Sequence, residues 1–154
     1  MINDIEDLLR SIQAFSKANL NTQIIAINTA KTDFDIDQIK SNDEKYVFAG
    51  DLVDIPNNSF VNHTIVEIVP KINGNDIISI VTLMVEVAFD NPKKANTYFT
   101  SVRYMEALYD TFLEYEPSTN EVDGLEITRV LPAAIIKNKR DLVVSGIEFS
   151  LAIS

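Results

Sequence analysis

The stretch Phe60–Asp90, FVNHTIVEIVPKINGNDIISIVTLMVEVAFD, decides the fold. It contains two long runs rich in β-branched residues, 60–72 and 76–89, on either side of Asn73-Gly74-Asn75. Asn and Gly readily adopt the positive φ angles that a tight hairpin turn requires. The two runs are therefore predicted to pair with each other as one long antiparallel hairpin.

The second run has apolar residues on both of its faces. One face carries Val81, Leu83, Val85, Val87 and Phe89, and the other carries Ile78, Ile80, Thr82, Met84 and Glu86. Strands in globular proteins usually have about five or six residues. Because a small domain has difficulty covering both sides of a much longer strand, we expect a second layer or a neighbouring subunit to cover the remaining side.

Helical spacing marks the N-terminal segment. Its apolar residues recur every three or four positions and are Ile5, Leu8, Leu9, Ile12 and Phe15. Either Asn3 or Asp4 can accept hydrogen bonds from the free amides of the first turn. This pattern predicts a helix over about 4–18.

A second helix is predicted after the hairpin. Asn91 suits the N-cap and Pro92 suits the first helical position, where its missing N–H would be unpaired in any case. The helix carries a stripe of Tyr98, Val102, Met105, Tyr109 and Phe112, flanked by Phe99, Leu108 and Leu113. Pro117 is expected to end it.

Three further segments are typical of strands. Gln23–Ile27 is short, β-branched and bounded by polar residues, and 125–131 and 142–153 are joined around 137–141. The stretch 29–45 is polar and has no clear period. The sequence thus predicts an α+β fold in the order α-β-β-β-α-β-β, with a mostly antiparallel sheet and two main helices on one of its faces.

Composition limits the possible functions. With 154 residues, 46% of them hydrophobic, the chain is expected to form a single domain, 1–154, with its own core. It has no cysteine, which excludes disulfides, thiolate metal sites and a thiol nucleophile. A net charge of −10 opposes tight binding of nucleic acid. No apolar run reaches the ~18 residues of a membrane span, and the acidic N-terminus is unlike a secretory signal, so we expect a soluble, unexported protein without membrane contact.

One acidic segment resembles a calcium loop. Asp33–Glu44, DFDIDQIKSNDE, has carboxylates at positions one, three, five and twelve, as in an EF-hand. An EF-hand also needs glycine at position six and normally an apolar residue at position eight, where this chain has Gln38 and Lys40. We therefore interpret the segment as a solvated loop with Phe34, Ile36 and Ile39 packed onto the core, and assign no metal ligand.

Other candidate chemical groups are equally isolated. His63 is the only histidine and lies in a strand pattern without an evident partner. Glu114 and Glu116 form a carboxylate pair, but a solvated helix end explains them better than acid and base catalysis. The basic turn formed by Lys137, Lys139 and Arg140 is typical of a solvated hairpin tip. We assign no catalytic or cofactor-binding residue, and we expect no enzymatic activity.

A family resemblance covers most of the chain. The strand VTLMVEVAFD, the helix KKANTYFTSVRYMEALYDTFL, the segment LEITRVLPAAI and the final strand VSGIEFSLAIS occur in the order seen in the tail terminator proteins of long-tailed bacteriophages. The N-terminal helical stripe and the middle hairpin fit the same order. The resemblance is one of pattern and topology, and residues 29–58 do not take part in it.

The resemblance implies a virion protein, also called a tail completion or head-to-tail joining protein, that assembles in the host cytoplasm. Such proteins form closed rings, typically hexamers, in the neck of the virion. The ring caps the tail tube protein, stops tube polymerisation and binds the head completion or connector protein, while DNA passes through its channel without sequence-specific binding. Of the acids in this chain, Asp51, Asp54, Glu121 and Asp123 are candidates to line that channel, where they would repel DNA.

Two alternatives stay open at the level of sequence. One is another head-to-tail connector or tail tube protein of a virion. The other is a small enzyme or ligand-binding α+β domain that uses the 29–58 segment. The second alternative predicts a deep pocket with converging polar groups, whereas a tail terminator predicts exposed apolar β-surface for its neighbours in the ring.

Overall fold

A computed structural model describes residues 2–41, 45–50, 58–90, 96–116, 125–137 and 141–153. Two helices and five strands follow one another as α1 (Ile2–Ala30), β1 (Val47–Ala49), β2 (Phe60–Asn73), β3 (Asp76–Asp90), α2 (Thr97–Leu113), β4 (Glu126–Lys137) and β5 (Asp141–Ile153). The predicted α+β class and the predicted order of elements are both confirmed.

The strands form one sheet in the order β1-β2-β3-β5-β4. All neighbours pair antiparallel except the short β1, which runs parallel to β2. Asn73 pairs with Asp76, so the hairpin turns through the two residues Gly74 and Asn75. Gly74 has a φ of +65°, a conformation that glycine adopts without strain. The predicted hairpin is therefore confirmed, including its turn.

Both helices pack on one face of the sheet, as predicted. The alternate residues of β3 that the sequence assigned to one face are all buried against the helices, and they pair with buried residues of β5. Leu83 lies opposite Phe149, and Val85 lies opposite Ile147. Helix α2 adds Tyr104, Leu108 and Phe112 to this core.

The first helix is longer than predicted, and the strand predicted at Gln23–Ile27 is wrong. Helix α1 continues through these residues to Ala30. Its buried face recurs every three or four residues: Leu8, Ile12, Ser16, Leu20, Ile24 and Ile27. Ile24 and Ile27 thus continue a helical stripe, and the first strand of the predicted order is β1 (Val47–Ala49) instead.

The second helix begins later than predicted. Asn96 occupies the N-cap position and Thr97 is the first helical residue. Asn91 and Pro92, the predicted N-cap and first helical position, lie outside the described ranges. Within the described part of the chain, neither helix is long and apolar enough to cross a membrane.

Among the described residues, the opposite face of the sheet has a second buried cluster at one end. There Phe60, Ala88, Leu142 and Val144 form a small second core, with Tyr46 packed against it. Farther along the same face, Met84, Glu86 and Ser150 are partly exposed. The strand β3 therefore presents partly apolar surface on a side that the helices do not cover, as its sequence indicated.

Candidate interaction surfaces

The distal half of the β2–β3 hairpin, residues 66–78, forms what we call the arm. On its β3 side the pairing with β5 begins only at Ser79, so the three residues before it extend past the neighbouring strand. On its β2 side, no described strand pairs with the outer edge beyond His63. The tip of the arm, residues 71–78, is therefore a two-stranded ribbon that continues past β5, whereas residues 66–70 form an outer edge beside the part of β3 that pairs with β5.

The arm exposes apolar side chains on both of its faces. Ile72 is 82% exposed and Ile77, its partner across the hairpin, is 59% exposed. Val66, Ile68 and Val69 are also exposed. The two-stranded tip has no core of its own, so apolar side chains stay exposed on both of its faces and are candidates for contact with a partner.

Helix α2 carries a second exposed apolar surface, which we call the outer stripe. It consists of Tyr98, Phe99, Val102, Met105, Tyr109 and Leu113. Tyr98, Phe99 and Leu113 are 64%, 61% and 57% exposed, whereas Val102 and Met105 are partly buried. The rings of Tyr98 and Phe99 lie edge to face, with centroids 6.2 Å apart.

The stripe identified in the sequence is thus not the buried face of α2. The buried face is formed by Ser101, Tyr104, Ala107, Leu108, Thr111 and Phe112, and Phe112 is the only member of the sequence stripe among them. Ser101 and Thr111 are polar, so this face does not stand out as an apolar stripe in the sequence. Thr111 can be buried there because its hydroxyl donates to the carbonyl of Ala107 within the helix. A helix that is apolar on two sides normally has both sides covered.

The backbone at the edges of the sheet is less available for binding than the exposed side chains are. Pro70 is three residue pairs away from Asn73 and Asp76, the hydrogen-bonded pair that closes the hairpin. Its nitrogen therefore points away from β3, and the outer edge of β2 lacks a backbone donor at this position. On the opposite edge, Pro132 lies where the pairing of β4 with β5 shifts between Leu131 and Ala134. Proline and irregular pairing are devices that prevent strand addition. A partner at these edges would therefore contact side chains more than backbone.

The acidic loop is held extended along α1 by two asparagines. The Asn28 side chain donates to the Ile36 carbonyl and accepts from the Ile36 amide, at 2.9 Å each. Asn21 makes the same pair of hydrogen bonds with Ile39, at 2.7 and 2.8 Å. The interpretation of a loop packed onto the core is confirmed, because Ile36 and Ile39 are buried and Phe34 is partly buried.

Arg103 of α2 fixes the start of the same loop. Its guanidinium donates to the Asp33 carboxylate and to the Phe34 carbonyl, and it stacks over the Phe34 ring. These bonds hold the pKa of Asp33 below its usual value. Asp33 therefore serves as an anchor, and the described residues contain no cluster of three or more side chains suited to hold a metal ion. Residues 42–44, which include Glu44, lie outside the described ranges.

A cleft of about 450 Å³ lies between this loop, the start of α2 and the ends of β2 and β3. It is lined by Asp35, Asp37, Asp90 and several neutral polar residues. At its base, the Tyr104 hydroxyl donates to the Asp37 carbonyl at 2.7 Å and contacts Ser59 Oγ at 3.3 Å. Burial raises the pKa of Tyr104 to about 12, so this hydroxyl stays protonated and serves the fold.

The remaining sequence candidates are not brought together. His63 is fully buried beneath α1, and its Nε2 lies 2.7 Å from Ser16 Oγ. Glu114 and Glu116 are exposed near the end of α2. Asp51, Asp54, Glu121, Asp123, Lys139 and Arg140 lie outside the described residues, and Lys137 is the last residue of β4.

No protein-family model matches the chain, and no curated protein shows significant similarity to it.

Proposed function

We propose that this chain is a structural virion protein that caps a phage tail tube as a ring, ends tube polymerisation and joins the tail to the head connector. One observation carries the proposal: two exposed apolar surfaces, the arm and the outer stripe, occupy different parts of the chain. A pair of different surfaces gives head-to-tail contacts, and such contacts close into a ring when the rotation between copies allows it.

The charge of the chain supports the same proposal. At a net charge of −10, the protein has little attraction for the DNA backbone. A ring built from such subunits lets DNA pass without holding it, which suits a component of the neck. The channel-lining roles of Asp51, Asp54, Glu121 and Asp123 remain part of this proposal.

Electron microscopy tests the function directly. The protein is imaged alone and then mixed with purified tail tubes of its own phage and with the tube subunits. We expect a ring, typically of six copies, at one end of each tube, and we expect tubes to stop lengthening in the presence of the protein. A protein that itself polymerises into tubes would identify a tail tube component instead, and a stable dimer under every condition would contradict the ring.

The cleft beside Tyr104 favours a second candidate, a ligand-binding domain. Its volume is in the range of small-molecule sites. Its base, however, is occupied by hydrogen bonds of the fold, and its acidic residues do not form a metal site with their described neighbours. Saturable binding of a small molecule that protects the protein against thermal unfolding would favour this candidate over the ring.

A further inference from the structure

We infer that the face of the sheet opposite the helices binds a helix of a partner protein, which places one arginine or lysine side chain against Glu86. The inference goes beyond the proposed ring and does not depend on it. We call the binding surface the open patch. Its residues are partly exposed and lie on β2, β3 and β5: Thr64, Ile80, Thr82, Met84, Glu86 and Ser150.

Glu86 lies within the open patch without a cation. Among the described residues, no hydrogen bond or ion pair reaches its carboxylate, and burial raises its pKa. Glu148, on the same face, has the usual partners for a carboxylate in such a place, since Arg129 donates to it at 2.6 Å and Thr128 at 3.1 Å. A partly buried charge without such partners is destabilising. Glu86 is therefore better explained by a contact that forms on binding.

The neighbouring strand leaves room for the Glu86 side chain. Gly146 of β5 pairs with Glu86, and a Cβ at residue 146 would lie 3.0 Å from Cγ of Glu86. Glycine inside a strand often marks the close approach of another group. The Glu86 side chain lies over the glycine, and its carboxylate stays within reach of a side chain that arrives from outside the sheet.

The charges around the open patch favour a basic partner. Three more carboxylates border it: Glu67, Glu126 and Glu148. Of these, Glu148 pairs with Arg129. Lys71, the one lysine that the described strands carry on this face, lies opposite Ile78, roughly 27 Å along β3 from Glu86. The patch therefore has an excess of negative charge, and no lysine of the described strands lies close enough to compete for Glu86.

A helix is the element that fits the open patch. The uncovered face of a sheet is buried in folded proteins by a layer of helices or by a second sheet. Pro70 and Pro132 disfavour the addition of a strand at the edges. From Ile80 to Glu86 the patch extends about 20 Å along β3, which is the length of a helix of about 14 residues.

A second copy of this chain is poorly suited as the partner. It has the same net charge of −10, so two copies repel each other. Its described arginines are also engaged, each with a carboxylate of its own chain: Arg10 with Glu6, Arg103 with Asp33 and Arg129 with Glu148. The partner is therefore a different protein, whose helix has an apolar face with a basic residue in it.

Disulfide tethering tests the cation site, because the chain has no cysteine of its own. Met84→Cys lies two residues from Glu86 on the same face, and Val69→Cys lies two residues from the exposed Glu67 on that face. Each variant is equilibrated with cystamine and bis(2-hydroxyethyl) disulfide at mildly alkaline pH. Mass spectrometry then measures the ratio of cationic aminoethyl adduct to neutral hydroxyethyl adduct. We expect a ratio about threefold higher at position 84 than at position 69, because a carboxylate shielded from water attracts a cation more strongly.

Two further variants assign this preference to the carboxylates. Glu86→Gln should lower the ratio at position 84 to that at position 69, whereas Glu67→Gln should change the ratio at position 69 by less than about twofold. Thr64→Cys, which is diagonal to Glu86 on β2, repeats the measurement if Met84→Cys does not fold. Equal ratios beside the two acids, or a ratio at position 84 that survives Glu86→Gln, would overturn the inference.

A pair of peptides tests the partner helix. Both have about 14 residues, with leucine and alanine on one face and glutamine on the other. One carries a single central arginine on its apolar face, and the other carries citrulline, the neutral isostere, at that position. We expect the arginine peptide to bind about fivefold more tightly in fluorescence anisotropy, since a charge-assisted hydrogen bond is stronger than a neutral one.

The same peptides are measured with two matched variants of the protein. Glu86→Gln should abolish the difference between the peptides, whereas Glu126→Gln, which changes an exposed acid on the same face, should retain it. Equal affinity of the two peptides for the parent protein, binding of neither, or an equal effect of both variants would reject the docking of a helix.

Free n-butylguanidinium distinguishes a docking surface from a site for a small cation. In an NMR titration we expect no saturable shift of the Gly146 amide, because a lone ion pair is weak without the apolar contacts of a helix. A saturable shift that Glu86→Gln removes would assign the site to a small organic cation and overturn the inference.

Discussion

At the scale of single residues, Gly146 shows how tightly the open sheet face is packed. It lies opposite Glu86 of β3, and a Cβ at this position would be 2.7 Å from the Val85 carbonyl oxygen and 3.0 Å from Cγ of Glu86. The first contact is with backbone, which cannot rotate away. The glycine therefore allows β3 and β5 to approach while Glu86 lies across the strand.

We expect Gly146→Ala to destabilise the protein by about 1–3 kcal/mol, the usual range for overpacking a well-packed site. Chemical denaturation measures the change. Ser145→Ala is a matched control in the next residue, since Ser145 is buried and its hydroxyl has no hydrogen-bond partner among the described residues. This control should leave stability unchanged or raise it. Equal stability of Gly146→Ala and the parent would show that the strands separate easily at this point.

The pH dependence of stability provides a second test at this scale. Burial raises the pKa of Glu86 above its ordinary value of 4.5. The unfolded chain therefore ionises first as the pH rises, so the destabilisation caused by Glu86 grows from about pH 4.5 to its raised pKa and is complete above that pKa. Glu86→Gln should be more stable than the parent at pH 7, and the difference should shrink below pH 4.5.

Glu148 supplies a control of opposite sign on the same face. Its hydrogen bond from Arg129 holds the pKa of Glu148 below the ordinary value of 4.5. The contribution of Glu148 is present above pH 4.5 and is lost as the pH falls through the lowered pKa. Glu148→Gln should therefore reduce stability at pH 7, and thermal unfolding at several pH values compares the two variants. The same sign for both would contradict this account.

At the scale of elements, the extended segment after α1 is held in place by hydrogen bonds from asparagine side chains, and not by a neighbouring strand. Asn21 and Asn28 each satisfy one amide and one carbonyl of the extended 33–40 loop. Each side chain thus replaces the pair of hydrogen bonds that a strand would offer. The loop is fixed by α1 rather than by a strand of its own.

Asn28→Ala should destabilise the protein by about 1–3 kcal/mol, since it leaves the Ile36 amide and carbonyl without their partner. Hydrogen exchange should accelerate at Ile36, and denaturation measures the overall loss. Asn19→Ala is the matched control, because the Asn19 amide donates to the Phe15 carbonyl of its own helix and alanine favours a helix. Equal losses in both variants would argue against the role assigned to Asn28.

The sequence predicted the elements with strong local patterns and missed those that depend on tertiary contacts. The hairpin is determined by its turn residues and by alternation, so both strands and the turn were correct. The strand at Gln23–Ile27 was wrong because the apolar stripe of α1 is interrupted by Ser16, which is buried against His63 and hydrogen-bonded to it. That contact is invisible to a pattern of apolar residues.

The same limit applies to the surfaces. The sequence of α2 contains two stripes, and composition favours the more apolar one as the buried face. The structure buries the other, because Tyr104 reaches the Asp37 carbonyl and Thr111 satisfies its hydroxyl within the helix. The exposed position of Tyr98 and Leu113 could therefore be found only from the packed fold.

At the scale of the whole molecule, charge and apolar surface act in opposite directions. The radius of gyration expected for a folded chain of this length corresponds to a distance of roughly 38 Å between the centres of two touching copies. At that distance, two net charges of −10 would repel each other by about 11 kcal/mol in water without salt. An exposed ion pair between copies would contribute only about 0.2–1 kcal/mol. The net repulsion dominates at low ionic strength.

Association should therefore increase with salt. Because the Debye length falls to about 8 Å at 0.15 M ionic strength, the repulsion between copies is largely screened while the apolar contacts remain. Sedimentation velocity from 10 mM to 500 mM NaCl should show a larger assembled fraction at the higher concentrations. Assembly that weakens steadily over this range would mean that ion pairs, not apolar surface, hold the copies together.

The prolines at the two outer edges of the sheet reduce the tendency of the stored protein to form fibres. A long sheet with apolar faces is prone to stack edge to edge into fibres when its concentration rises. Pro70 and Pro132 deny incoming chains a continuous row of backbone donors, so crowding alone gives no template for such growth. The contacts proposed for the ring use side chains, and so do not need such a row of donors.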